Sequence, residues 1–175
     1  MAKIEKRYDI VIVGTGCAGL FCALSLPRNK KILCISKDAL DGSDSFLAQG
    51  GICMLRDEED YEPFFQDTMR AGHYENRKES VDIMIRSSQE IIKDLIGYGV
   101  DFDMENGELA FTREGAHSKS RILFHADVTG REITGTLLER VQELKNVTLL
   151  EHTTMVDWVC QENVCYGIVA ADIDG

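Results

Sequence analysis

Short, almost wholly apolar runs alternate along this chain with longer stretches in which apolar residues return every three or four positions. Residues 8–13, "YDIVIV", and 32–36, "ILCIS", have the length and near-continuous apolarity of parallel strands covered on both faces. Between them, 20–26 reads as a helix, and Pro27 stands where it would end. Strand, glycine turn, helix and strand make one βαβ unit, right-handed by the general rule.

The middle of the chain is helical in pattern. Val81, Met84, Ile85, Ser88, Ile91, Ile92, Leu95 and Ile96 fall on one stripe of a helix over 79–98, and Gly97 with Gly99 marks its exit. A shorter helix is predicted over 62–69. Thr129 and Glu132 have the spacing of a capping box, and Ile133, Leu137, Val141 and Leu144 give the helix behind them one face to pack on a sheet. A strand at 147–150 follows, then an antiparallel hairpin with 155–160 going out, Gln161-Glu162-Asn163 turning and 164–171 returning. The sum is an α/β fold, mainly parallel sheet plus one hairpin. The sequence stops in "IVAADIDG" directly after the returning strand, which leads us to expect an incomplete architecture.

Composition removes some function classes. Thirty acidic residues against 19 basic ones give a net charge of −11. Non-specific nucleic-acid binding relies on clustered Lys and Arg, so that class is set aside, while a small anion held by a few local groups is not. No apolar run approaches the length of a membrane span, and the amino end runs into a strand without the apolar stretch of a secretory signal. The expectation is a cytoplasmic protein with neither membrane nor nucleic-acid partner. The acidic run 57–60 reads as a solvated loop, and no metal site is expected. None of the six cysteines forms a Cys-x-x-Cys pair. Cys17, Cys22 and Cys34 are expected as small buried hydrophobes, and Cys160 and Cys165, though placed for a bridge across the hairpin, as thiols.

Three stretches carry candidate chemistry. Gly14-Thr15-Gly16-Cys17-Ala18-Gly19 has the spacing of a dinucleotide fingerprint, after a strand and opening a helix. Its first glycine permits the turn, its second lets a pyrophosphate reach the backbone, and its third allows close strand–helix packing. The acid that ordinarily ends the second strand is missing; Ser36 and Lys37 stand there, one able to bond a ribose and the other to meet negative charge. Next, Asp44-Ser45-Phe46-Leu47-Ala48-Gln49-Gly50-Gly51 reads as a loop doubling back, its glycines free to bring backbone N–H groups against a flat redox ring. A tight structural turn is the alternative. Finally, 112–127 gathers Arg113, Glu114, His117, Ser118, Arg121, His125 and Asp127, a cluster suited to a small carboxylate substrate.

Together these segments resemble the flavoprotein subunits of the succinate dehydrogenase and fumarate reductase family, most closely its branch that oxidises L-aspartate. The likeness runs through 11–20, 35–37, 45–52, 67–72, 99–103 and 112–130. It implies a Rossmann-like FAD-binding domain, with pyrophosphate over Thr15 to Ala18, Lys37 at the nucleotide and 44–51 along the flavin. Covalent members carry a histidine at the position of Asp44; aspartate cannot make that link, so non-covalent FAD is implied. The aspartate-oxidising branch usually has a small neutral residue there, so Asp44 is a departure, as is Ala116 in place of a glycine. Glu114 matches that branch's acid, which orients aspartate through its amino group. The implied reaction is oxidation of L-aspartate to iminoaspartate, with hydride passing to FAD and dioxygen or fumarate as final acceptor. The product would feed quinolinate and NAD synthesis, with quinolinate synthase as a pathway partner. The family's arginine base and its carboxylate clamps map onto nothing in 1–175. The chain is therefore expected to be the N-terminal portion of an FAD-binding domain, without the capping domain and the returning segment. A non-covalent fumarate reductase or succinate dehydrogenase-like flavoprotein stays open, as does a dinucleotide-binding fragment without catalysis.

Overall fold

The computed structural model describes residues 7–172. Residues 1–6 and 173–175, on which the readings of the chain's two ends rested, lie outside them. The first elements are β1 (Ile10–Val13), α1 (Cys17–Ser25), β2 (Ile32–Ile35) and α2 (Asp44–Leu47). Then come β3 (Ile52–Cys53), α3 (Glu58–Ala71), α4 (Lys78–Tyr98), β4 (Met104–Glu105), β5 (Glu108–Leu109) and β6 (Ile122–Leu123). The last are α5 (Thr129–Gln142), β7 (Val147–Leu150), β8 (Thr153–Gln161) and β9 (Val164–Asp172). Two compact units result: one holds the chain up to Leu47 and again from Thr134, the other runs Ala48–Ile133.

The first unit is built on a parallel sheet ordered β1-β2-β7, with Ile10 opposite Ile32 and Ile32 opposite Val147. Strand β2 is central, and Ile32, Cys34 and Ile35 are buried, which is why its sequence shows no alternation. Helix α1 forms the βαβ crossover and buries Leu20, Ala23 and Leu24; it starts at Cys17, three residues before its apolar pattern does. In α5, Ile133, Leu137 and Val141 are buried as the four-residue spacing predicts, and Leu138 is buried beside them. The antiparallel pair β8–β9 turns at Glu162 and Asn163, both in the left-handed region (φ 51° and 62°). Cys160 and Cys165 face each other across it as free thiols. Cys34 is buried and Cys17 half-buried, but Cys22 is exposed: it lies on the outer side of α1, contrary to expectation.

In the second unit α3 and α4 pack around Leu55, Phe64, Met69, Val81 and Ile85. The stripe on α4 is narrower than its sequence suggests. Val81, Ile85, Ile92 and Leu95 are buried, whereas Met84 and Ile96 are exposed. Gly99 closes that helix in the left-handed region, φ 104°. The acidic run 57–60 is not a solvated loop. Asp57 caps α3 by accepting from Asp60 N at 2.9 Å, and Glu58, Glu59 and Asp60 form the first turn, where acids complement the helix dipole. Asp60 is 1% exposed. Thr129 and Glu132 stand in the first turn of α5, and each also takes a donor from outside the helix. The Thr129 hydroxyl accepts from His125 N, and Glu132 Oε1 from Asp101 N. Among the described residues no helix is long and apolar enough to cross a membrane.

Candidate functional site

The glycine turn is fixed by three different constraints. Gly14 has φ +105°, open to glycine and strained for other residues, and its N–H donates to Ile35 O at 2.8 Å. A side chain on Gly19 would collide with the Gly14 carbonyl oxygen, so the third glycine lets α1 meet β1 closely. A Cβ on Gly16 would stand 3.0 Å from Ser45 Oγ. Thr15, 2% exposed, donates its hydroxyl to Leu40 O at 2.8 Å and ties the turn to the segment after β2. No side chain caps α1 and no acid lies in its first turn. Its leading N–H groups and positive dipole end are therefore available to an anion.

These residues border a cleft of about 420 Å³ beyond the carboxyl ends of β1 and β2. That is where open α/β sheets bind their ligands. Of the predicted cofactor residues, Gly14, Thr15, Gly16, Ser36, Lys37 and Asp44 line it together. Cys17, Ala18 and Gly19 belong to the first turn of α1 instead. Asp38, Gly42, Ser43 and the start of β8 (Thr153, Thr154, Met155) also line the cleft, and sequence reasoning missed them. Only topology could have found the β8 residues: β7 lies beside β2, so the chain leaving β7 returns to the same end of the sheet. Two structural features of the cleft fit a dinucleotide, the uncapped helix end and the side-chain-free approach at Gly16.

The stretch 44–51 is not one loop. Asp44, Ser45, Phe46 and Leu47 form the single helical turn α2 in the first unit, and Phe46 Cε2 is 4.0 Å from a Cβ built on Gly135. Leu47 is 69% exposed, so the apolar pair is not buried as a pair. Ala48, Gln49, Gly50 and Gly51 belong to the second unit, where Ala48 O accepts from Gly130 N at 2.9 Å and Gly51 has φ +96°. Glu114 reaches this second half. Its Oε2 lies 3.1 Å from a Cβ built on Gly50, so a residue larger than glycine would press on the carboxylate.

The cluster 112–127 divides into an inner and an outer part. Arg121 is fully buried and forks onto Asp60, with Nη2 to Oδ1 at 2.7 Å and Nε to Oδ2 at 3.1 Å, while Nη1 donates to Asp67 Oδ2 at 2.8 Å. Asp67 Oδ2 also accepts from Ser118 N and Oγ, at 2.7 and 2.6 Å. Arg121 is thus engaged inside the protein and is not a carboxylate-recognising group, a correction to the sequence reading, while Ser118, though exposed, is held by Asp67. Arg113, Glu114 and Asp127 are exposed. Asp60 and Asp67 were given no role in the sequence, although a spacing of seven sets both on one face of a helix. The Ala116 departure is harmless to the backbone, since its φ is not positive.

Charge state follows from this packing. Burial pushes the Asp67 carboxyl upward, but hydrogen bonds from Ser118, Arg121 and Arg70 outweigh it and hold the group well below the carboxylate range. Burial opposes the charge on Arg121 too, and Asp60 with Asp67 more than restores it. Burial, then Arg121, keeps His117 neutral below its ordinary value. Arg121 Nη1 can only donate, so His117 Nδ1, 3.1 Å away, accepts; Nε2 then holds the proton and donates to Cys53 Sγ at 3.4 Å. Burial raises the Cys53 thiol despite Arg121 nearby, and it stays protonated and unreactive at neutral pH.

The chain matches the family described as FAD binding domain over residues 9–175. It is 40% identical over 164 residues to L-aspartate oxidase of Clostridium perfringens, covering 94% of this chain and 37% of that protein. To the chloroplastic L-aspartate oxidase of Arabidopsis thaliana it is 36% identical over 179 residues, 99% of this chain and 28% of the other. It therefore spans well under half the length of these relatives. Among solved structures, a quinol fumarate reductase of E. coli superposes with a TM-score of 0.87 at 26% identity, covering 94% of this chain and 29% of that one. Sdh1 of Mycobacterium smegmatis in complex with UQ1 gives 0.84 at 22%, covering 95% and 31%, a likeness of fold.

Proposed function

This chain belongs to the FAD-binding domain family, and from that premise we infer that it is the nucleotide-holding part of an enzyme that oxidises L-aspartate to iminoaspartate. In this reading residues 1–175 are the N-terminal portion of the FAD-binding domain. The arginine base, the carboxylate clamps and the capping domain lie elsewhere in the polypeptide. FAD, when bound, supplies the hydride acceptor, with dioxygen or fumarate as the final oxidant. The glycine turn receives the pyrophosphate, Lys37 offsets phosphate charge, and Asp44, which has no imidazole to form a link, leaves the cofactor non-covalent. Gln49, Gly50 and Gly51 bring backbone to the ring. Glu114 attracts the substrate ammonium and repels a dicarboxylate that lacks one, which selects aspartate over succinate. The product then enters quinolinate and NAD synthesis in the cytoplasm.

The observation that carries this reading is the Glu114 carboxylate against Gly50, on a loop that Asp67 holds through Ser118. Acid precipitation of the flavin-loaded protein should release all of the flavin. In the complete polypeptide, Glu114→Gln should raise KM for aspartate at least tenfold while fumarate reduction persists. Flavin retained after precipitation, or an unchanged preference for aspartate, would refute it.

A further inference from the structure

Ser36 and Lys37 occupy the place where a dinucleotide-binding strand ordinarily presents an acid to the adenosine ribose. Neither provides a carboxylate. Ser36 is 8% exposed and donates its hydroxyl to Ala39 O at 3.3 Å. Lysine donates and cannot accept. The next residue, Asp38, lines the cleft beside Gly14 and Gly16, and among the described residues nothing donates to its carboxylate. Its backbone, by contrast, is fixed. Asp38 O accepts from His152 N at 3.2 Å and Ser36 O from Thr153 N at 2.7 Å. Two residues on, Leu40 O takes the Thr15 hydroxyl, which ties this turn to the glycine turn.

We propose that Asp38 is the ribose-binding residue of this cleft, accepting from the 2′- and 3′-hydroxyls of a dinucleotide whose pyrophosphate lies on the glycine turn. The proposal rests on the dinucleotide reading above and adds a specificity to it. A carboxylate at the ribose admits free hydroxyls and repels a 2′-phosphate. Asp44, the other acid of the cleft, does not compete for this role. It lies between Ser43 and Ser45, whose Cβ atoms are 3.8 and 3.7 Å from a Cβ built on Gly16, and so stands at the helix end rather than at the end of β2. The acid has in effect moved along the chain, from the position of Ser36 to that of Asp38.

Flavin fluorescence quenching on the complete polypeptide gives Kd for FAD, and displacement of FAD gives it for ADP and 2′,3′-dideoxy-ADP. Asp38→Ala should weaken FAD and ADP about tenfold, in line with losing hydrogen bonds to a charged acceptor. Asp38→Asn, which keeps one oxygen, should fall between. The dideoxy nucleotide should bind wild type and variants alike. Unchanged FAD and ADP binding in Asp38→Ala, or an equal loss for the dideoxy nucleotide, overturns the assignment. A complete wild-type polypeptide that takes up neither FAD nor ADP overturns the dinucleotide reading itself, and Asp38 with it.

Discussion

Gly19 and Gly16 sit three residues apart in one motif but answer to different neighbours. A methyl on Gly19 meets the Gly14 carbonyl, backbone against backbone, while one on Gly16 meets a serine hydroxyl that can rotate away. Gly19→Ala should therefore lower stability by about 1–3 kcal/mol, the usual range for an overfilled contact. Gly16→Ala should keep a near-native Tm and lose FAD affinity. Calorimetry and a flavin titration on both proteins separate the two; equal thermal losses would contradict the geometry. This much was readable in the sequence, because the glycine spacing is itself a local pattern. Arg121 was not. Its partners Asp60 and Asp67 lie 61 and 54 positions away, and no local pattern distinguishes an arginine that meets substrate from one locked inside the protein.

Strongly periodic elements were legible from end to end: α4 and β7 fall where the apolar spacing puts them. Helix α3 begins four residues before its predicted start, since its first turn is acidic and leaves no apolar period to read, although Asp57 ahead of three acids is a helix-start signal. The single turn α2 was hidden for the same reason, being too short for any period. What holds α3 to the 114–121 segment is an acid-labile joint. His117 has a lowered pKa in the folded protein, so the unfolded chain binds that proton more readily. Its share of stability is complete above about pH 6.5 and is lost as the pH falls through the folded value. Asp67, also depressed, adds a loss of the same sign below about pH 4. Urea midpoints of wild type and His117→Gln should diverge at pH 7.5 and converge toward pH 5; parallel curves would contradict the assignment of a neutral His117.

For the molecule as a whole, composition pointed to an acidic protein and the apolar pattern to an α/β core, but neither gave a hint of the division at Leu47, which cuts through a single motif. Partition of a chain depends on long-range packing that residue patterns do not encode. Hairpin β8–β9 has a practical consequence at this scale. It carries the protein's single tryptophan, Trp158, 65% exposed, with Tyr166 exposed nearby. Intrinsic emission is then a gauge of one strand's wetting: acrylamide should quench it almost as well in buffer as in urea, and a blue, shielded spectrum would mean that something has settled over that face.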